Sequence, residues 1–453
     1  MDHLPGPAGL PLVGNVGFDT AHFHQRLEQW AREYGPLYRF RMMDRRFLIT
    51  SRHKDIAQIL HDRPDQWRRS RRVASILEEA SARGVFSAEG EEWRRQRKLV
   101  MHALTPEVIN RFHPTFSAMT ERLRRRWLAA AEAGQPQHVL RDLKAFALDV
   151  IIGMAMGQDQ DMLEHEDNPL QRDIEFVFRQ LARRLVAPVS YWRKLKLPVD
   201  RDTDAAGLRI RSAVDGFIAD ARRRMAANPA LYDKPGNLLE AMLAACDVPG
   251  SGISDAVVQA NAINMVFAGE DTTANTIAWL LHLLSQAPEA AARLAREADT
   301  APALDQMPYL DACVQEAMRL KPVAPIMGAE AVQDVALDGV QVPAGVVVFM
   351  LLRHAFEREV PLADGNEFRP ERWLDPALKE KLDDPGRKML PFGGGPRFCP
   401  GRYLAMCEIR MVMSMLARSF TIHALPGAAP VEELFTFTMT PSALPLLLRP
   451  RAL

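Results

Sequence analysis

Along most of the chain, apolar residues return every three or four positions, the spacing of helices with one buried face. The pattern predicts helices over 53–61, 91–103, 116–133, 141–156, 173–185, 205–227, 238–246, 254–286, 289–298 and 309–320. Alternation with a period of two, the mark of a half-buried strand, is confined to short stretches. It occurs at 39–41 and 46–50 around Asp44, at 332–348 between turns at Asp338-Gly339 and Pro343-Ala344-Gly345, and as a strand pair within 433–450. The Pro/Gly-rich start through Gly14 reads as an extended lead-in, and a last helix is expected to start at Cys399. The expected fold class is mostly α with a minor β region. It forms one large domain over 1–453, with a β-containing N-terminal region of about 1–65 and C-terminal strands at about 420–453 packed on the helical body. No repeat, low-complexity tract or linker divides the chain.

Composition narrows the class without naming a chemistry. With 47% hydrophobic and 25% charged residues, the chain is an ordinary globular one, not a disordered, fibrous or polytopic membrane protein. Lys+Arg and Asp+Glu both number 57, so no net charge suggests nucleic acid. The four cysteines, Cys246, Cys313, Cys399 and Cys407, form no CxxC pair and no zinc-type spacing, and are too sparse for a disulfide scaffold. No signal-peptide pattern opens the chain and no long apolar run could span a bilayer. The expectation is a cytoplasmic protein without a membrane anchor.

Two segments carry chemistry. The predicted helix 254–286 is long enough to cross a whole domain, about 50 Å at 1.5 Å per residue. Its centre holds poor helix formers: Ala268-Gly269-Glu270-Asp271-Thr272-Thr273. Such a midpoint is expected to be locally opened for function, or else kinked by Thr hydroxyls bonding back to carbonyls; the two readings carry equal weight. Glu270 is expected to be a solvent-side or inter-helix partner.

The second segment is Pro391-Phe392-Gly393-Gly394-Gly395-Pro396-Arg397-Phe398-Cys399-Pro400-Gly401-Arg402. Its glycines let backbone approach something flat. Cys399, just before Pro400, is expected at a helix N-terminus, where free N–H groups favour a thiolate. A shielded, N–H-bonded thiolate is what haem iron requires of an axial ligand that promotes O–O cleavage.

The spacing Phe392-x-x-Gly395-x-Arg397-x-Cys399-x-Gly401 resembles the haem-binding signature of the cytochrome P450 family of haem-thiolate monooxygenases. Ala268-Gly269-x-Asp271-Thr272-Thr273 resembles that family's oxygen-activating groove, Glu316-x-x-Arg319 its buried pair, Phe368-x-Pro370-Glu371-Arg372-Trp373 its meander, and Trp93-x-x-x-Arg97 its propionate-binding helix. The likeness spans essentially the whole chain. It is closest to soluble bacterial members with eukaryote-like motifs, including the fatty-acid hydroxylase branch.

The resemblance implies haem b (iron protoporphyrin IX), with Cys399 as the iron ligand. Arg397, Trp93 and Arg97 would hold the propionates, Phe392, Gly395 and Gly401 would shape the loop, and Ala268 and Gly269 would keep room above the iron. Thr272 and Asp271 would deliver protons. Glu316, Arg319 and Arg372 would form a buried structural triad. Phe86, Ala268, Val323, Ile326 and Phe437 would line the substrate pocket, under a variable roof at 67–83 and 173–201. One departure stands out: where many members carry a propionate-binding Arg, this chain has Ala329, so the expectation is that one propionate has fewer partners or is held by His354 or Arg353.

The implied reaction inserts one atom of O2 into a lipophilic small molecule, by hydroxylation or epoxidation of a fatty acid, terpenoid or steroid. No fused reductase motif is seen, so NAD(P)H electrons would arrive through a ferredoxin with its reductase, or a flavodoxin-type donor. Arg94, Arg95, Arg402 and the 122–126 run are the candidate docking patch. The alternatives are a peroxide-driven haem-thiolate enzyme, against which Asp271-Thr272 argues, and a non-enzymatic haem sensor.

Overall fold

The computed structural model describes residues 1–451 except 2, 81, 166, 167 and 188. Helices form the body and enclose the largest apolar core. Its axis is the helix Asp255–Gln286, 32 residues long. Ser254 caps it by accepting the Val257 N–H at 3.4 Å, and the next helix begins directly at Pro288. This central helix is unbroken through residues 268–273. The expected local opening is therefore absent, and the threonines bond backwards instead: Thr272 Oγ1 donates to the Ala268 carbonyl and Thr276 Oγ1 to that of Thr272, each at 2.9 Å. The helix Val139–Met156 packs against it. A Cβ on Gly269 would fall 2.9 Å from Ile151, so the small residue permits this close approach.

The β region gathers at the N-terminal side. A five-stranded sheet orders Leu37–Met42, Arg45–Thr50, Val347–Leu351, Ile326–Ala331 and Trp67–Arg68, with one parallel pairing, Phe47 opposite Val347. Period-two alternation sorts its faces: Phe40, Phe47 and Ile49 join an aromatic core with Phe23 and Phe349, while Leu48, Val348 and Ala329 face an aliphatic one with Ile56. Three two-stranded pairs complete the set: Val335–Leu337 with Val340–Val342, Glu433–Phe435 with Met439–Pro441, and Phe420–Ala424 with Leu446–Pro450.

Other expectations shift as well. The strand Ile326–Ala331 lies upstream of the alternating stretch, hidden by Gly328 and Pro325. The helix Phe23–Tyr34 was not expected. The last helix runs Arg402–Ser419 rather than from Cys399, because Pro400-Gly401 turns the chain and Gly401 serves as the N-cap. No helix is long and apolar enough to cross a membrane among the described residues.

Candidate haem-thiolate site

Cys399 sits in the turn between the short helical turn Gly395–Arg397 and the helix Arg402–Ser419. Its N–H donates to the Phe392 carbonyl at 2.9 Å, which closes the loop. Its sulfur accepts from the Gly401 N–H and lies near the cations of Arg97 and Arg402. Burial nevertheless dominates and pushes the thiol up. The helix terminus expected at the sulfur begins further on, at Arg402. A coordinating metal would deprotonate the sulfur outright. Gly395 has φ 63°, and a Cβ there would meet the Leu60 carbonyl oxygen at 1.9 Å. Its role is to seat the loop on the end of the helix His53–His61.

Four guanidinium groups gather beside this loop. Arg397 donates to the Ala88 carbonyl at 2.6 Å, pairs with Glu89 and stands 4.6 Å over the Trp93 ring. Burial, reinforced by Arg63 and Arg97, pushes it down to about 10. Arg97, four residues after Trp93 on the helix Gly90–Ala103, donates to the Phe398 carbonyl at 2.6 Å. Arg63 and Arg69 were not expected. Arg63 is 2% exposed, and its Nε and Nη2 have no partner among the described residues. Arg69 bonds the Phe86 carbonyl and is lowered by burial and by Arg63 and Arg397. Among the described residues, Glu89 is the one carboxylate facing Arg63, Arg69 and Arg397. A buried surplus of positive charge is costly unless an anion joins it. Two propionates beside a buried thiol answer that requirement, so the residues fit haem.

The propionate partners suggested in place of an Arg at Ala329 do not fit. Arg353 is consumed by Glu28 at 2.8 Å and Glu433 at 2.9 Å. His354 is buried and faces Glu357 at 3.7 Å. Ala329 itself packs in the aliphatic core. Arg63 and Arg69, from the segment 63–69, are the further buried cations beside Arg397. No pattern marks them, because their charge reads as an ordinary basic surface until the fold buries it.

Between Ala260 and Leu281 the central helix is buried except at Ala268, Gly269 and Thr272. These positions share one face, which is the open face of the helix. Behind it, Asp271 is bonded on both sides. Lys144 Nζ meets Oδ1 at 2.9 Å, and the Thr438 hydroxyl donates to Oδ2. Burial would push Lys144 down, but Asp271 and Glu270 outweigh it and the net shift is upward. Glu270 is not at the solvent side. It is wholly buried, its carboxyl oxygens lack partners among the described residues, and burial pushes it well above the usual carboxylate range.

Four aromatics form a chain: Phe86 to Phe437 at 6.0 Å, Phe437 to Phe178 at 5.7 Å, and Phe178 to Phe267 at 5.1 Å. Phe178 and Phe267 add to the expected set. Val323 is half-buried, and its carbonyl accepts the Met439 N–H at 2.8 Å. Ile326 departs from expectation: it packs with Phe23, Phe40 and Val347 in the core of the sheet. Phe86 is positioned by the central helix, where Asn261 accepts the Val85 N–H at 2.8 Å and Asn264 donates to the Ala82 carbonyl at 3.0 Å.

Glu316, Arg319 and Arg372 come together. Glu316, fully buried, accepts two bonds from Arg319 at 2.8 Å, one from Arg372 at 2.9 Å and one from the Trp373 Nε1 at 2.7 Å. Of the candidate docking cations, Arg94, Arg122 and Arg124 are engaged by carboxylates. Arg126 pairs with Asp142. Arg95 and Arg402 carry no ion pair among the described residues.

A model of the cytochrome P450 family matches residues 4–448. Cytochrome P450 4d2 of Drosophila melanogaster is 24% identical, with 99% of this chain and 94% of the relative covered. The mitochondrial 1,25-dihydroxyvitamin D(3) 24-hydroxylase of Rattus norvegicus is 26% identical, with 99% and 89% covered. The crystal structure of a cytochrome P450 (CYP102L1) superposes with a TM-score of 0.83 at 26% identity, covering 97% of this chain and all of the other.

Proposed function

Because this chain belongs to the cytochrome P450 family of haem monooxygenases, we propose that it oxygenates a lipophilic small molecule of the fatty-acid, terpenoid or steroid class. The balance is RH + O2 + 2 e− + 2 H+ → ROH + H2O, with the electrons supplied by a separate ferredoxin-type or flavodoxin-type donor fed by NAD(P)H. The observation that carries the reading is the buried thiol of Cys399 beside a cluster of arginines holding more charge than Glu89 can balance. Bound there, haem would supply the centre at which O2 is reduced and one oxygen atom is transferred.

The chain's own residues do the rest. Cys399 is the iron ligand, with the Gly401 N–H on its sulfur. Arg397 and Arg97 hold propionate oxygens, and Arg63 and Arg69 stand in for the arginine that Ala329 lacks. Phe86, Phe178, Phe267 and Phe437 present an apolar wall that selects a lipophile and excludes water. Thr272, on the open face of the central helix, holds a hydroxyl where a proton is needed, and Asp271 relays protons to it from the polar side of the helix.

The test is spectroscopic and then catalytic. Reconstituted protein, reduced and treated with CO, should show the red-shifted Soret band of thiolate ligation, and Cys399→His should abolish it. Turnover with NAD(P)H and redox partners should exceed turnover with H2O2 alone. Efficient peroxide-only turnover would favour the peroxide-driven alternative, and absence of the thiolate band would end the proposal.

A further inference from the structure

The strand pair Glu433–Phe435 and Met439–Pro441 carries two consecutive residues with opposite surroundings at its tip. Phe437 packs, with its ring tilted, between Phe86 and Phe178 in the aromatic wall. Thr438, 6% exposed, turns to the central helix. There the hydrogen bonds have a fixed direction. Thr440 Oγ1 donates to Asn275 Oδ1 at 2.9 Å. Asn275 Nδ2 then donates to Thr438 Oγ1 at 3.0 Å. An amide nitrogen can only donate, so the Thr438 hydroxyl accepts there and must spend its own proton on Asp271 Oδ2.

We propose that Thr438 is a positioning residue for the proton relay: it aims the Asp271 carboxylate and ties that aim to the pocket through its neighbour Phe437. The proposal rests on the monooxygenase reading above. Asp271 has two oxygens. Lys144 holds one and Thr438 the other, so it cannot turn toward the open face of the helix without releasing one of them. Lys144, on the helix Val139–Met156, is itself shared with Glu270. The charged groups facing this cluster are Lys144 from that helix, Glu175 from the helix Pro169–Val186, and Glu270 and Asp271 from the central helix. None of them sits on the strand pair, so Thr438 is that pair's own contact with the acid. A lipophile that displaces the Phe437 ring moves the adjacent Thr438 and frees Oδ2. Before substrate enters, the acid stays locked.

The variant is Thr438→Val, which keeps the shape and removes the hydroxyl, with Thr438→Ser as the conservative rescue. Two readouts separate aiming from folding. In protein labelled with carbon-13 at aspartate carboxyls, infrared difference spectra should show the Asp271 carboxylate band, identified by its loss in Asp271→Asn. That band should shift on substrate addition in the wild type and in Thr438→Ser, and not in Thr438→Val. In turnover without substrate, Thr438→Val should release about tenfold more hydrogen peroxide per NAD(P)H, the lower end of the range expected when one charge-assisted hydrogen bond is lost. Thr440→Val, which unhooks Asn275, should move both readouts the same way by less, and carries the test if Thr438→Val does not fold. A substrate-induced band shift that survives in Thr438→Val, or an unchanged peroxide yield, would overturn the proposal. The CO-treated spectrum reports separately whether the haem-thiolate reading holds.

Discussion

Replacing Arg63 with Met should push the apoprotein and the haem complex in opposite directions. Arg63 is 2% exposed, with Nε and Nη2 unpartnered, beside the like charges of Arg69 and Arg397. Burial lowers its pKa, and only the pull of Glu89 opposes that. Met fills much of the same volume without the charge. Replacing poorly compensated buried charge by apolar volume is worth about 1–4 kcal/mol, so the apoprotein should unfold at higher denaturant. A propionate that loses one charge-assisted bond gives up about 1.5–3 kcal/mol, or roughly 10- to 150-fold in haem affinity. The assay pairs denaturant unfolding of the apoprotein with haemin titration by absorbance. A destabilised apoprotein whose haem affinity equals wild type would show that Arg63 is a structural cation and would refute the surplus-charge argument.

The other predictions concern the relay, the scaffold and pH. Thr272→Ala should keep haem and substrate affinity while diverting electrons to hydrogen peroxide; unchanged coupling, measured as product per NAD(P)H, would count against the proton role. Glu316→Ala strands Arg319 and Arg372 and should cost about 3–5 kcal/mol in denaturant unfolding, whereas a loss under about 1 kcal/mol would mean that water satisfies the arginines. Asp149, whose carboxylate accepts N–H bonds from Met162 and Leu163, is pushed by burial to about 6. Its folded pKa lies above the unfolded value, so the native state binds more protons between about pH 4 and 6, and stability falls by about 2–3 kcal/mol as pH rises through that window. Wild type minus Asp149→Asn stability, measured from pH 4 to 7, should trace this fall; a flat difference would contradict it.

What the sequence reveals and what it hides divide along chain distance. The cysteine loop, the Trp93/Arg97 pair and the Glu316/Arg319 pair are legible because each motif lies within a few residues, where spacing fixes geometry. The guanidinium cluster is half legible. Arg97 and Arg397 belong to patterned segments, while Arg63 and Arg69 acquire meaning only when the fold removes them from water. Lys144 and Thr438 meet Asp271 from 127 and 167 residues away, and nothing local in either segment marks them. Of the two readings of the central helix, threonines bonding back to carbonyls hold and a local opening does not: Gly269 and the threonines are poor formers, but packing against Ile151 and bonds back to the preceding carbonyls keep the helix whole. Ile326 misled for a related reason, since adjacent strand residues face opposite layers and period alone does not say which layer is the pocket.

The contact between Gly395 and the Leu60 carbonyl also bears on how such proteins can be recombined. The segment that presents the sulfur is shaped against a helix end more than three hundred positions earlier. A chimera that borrows the C-terminal segment alone would inherit a mismatched seat. The smallest transplantable cassette therefore has two pieces, and exchange libraries should keep residues 53–61 and 391–402 from the same parent.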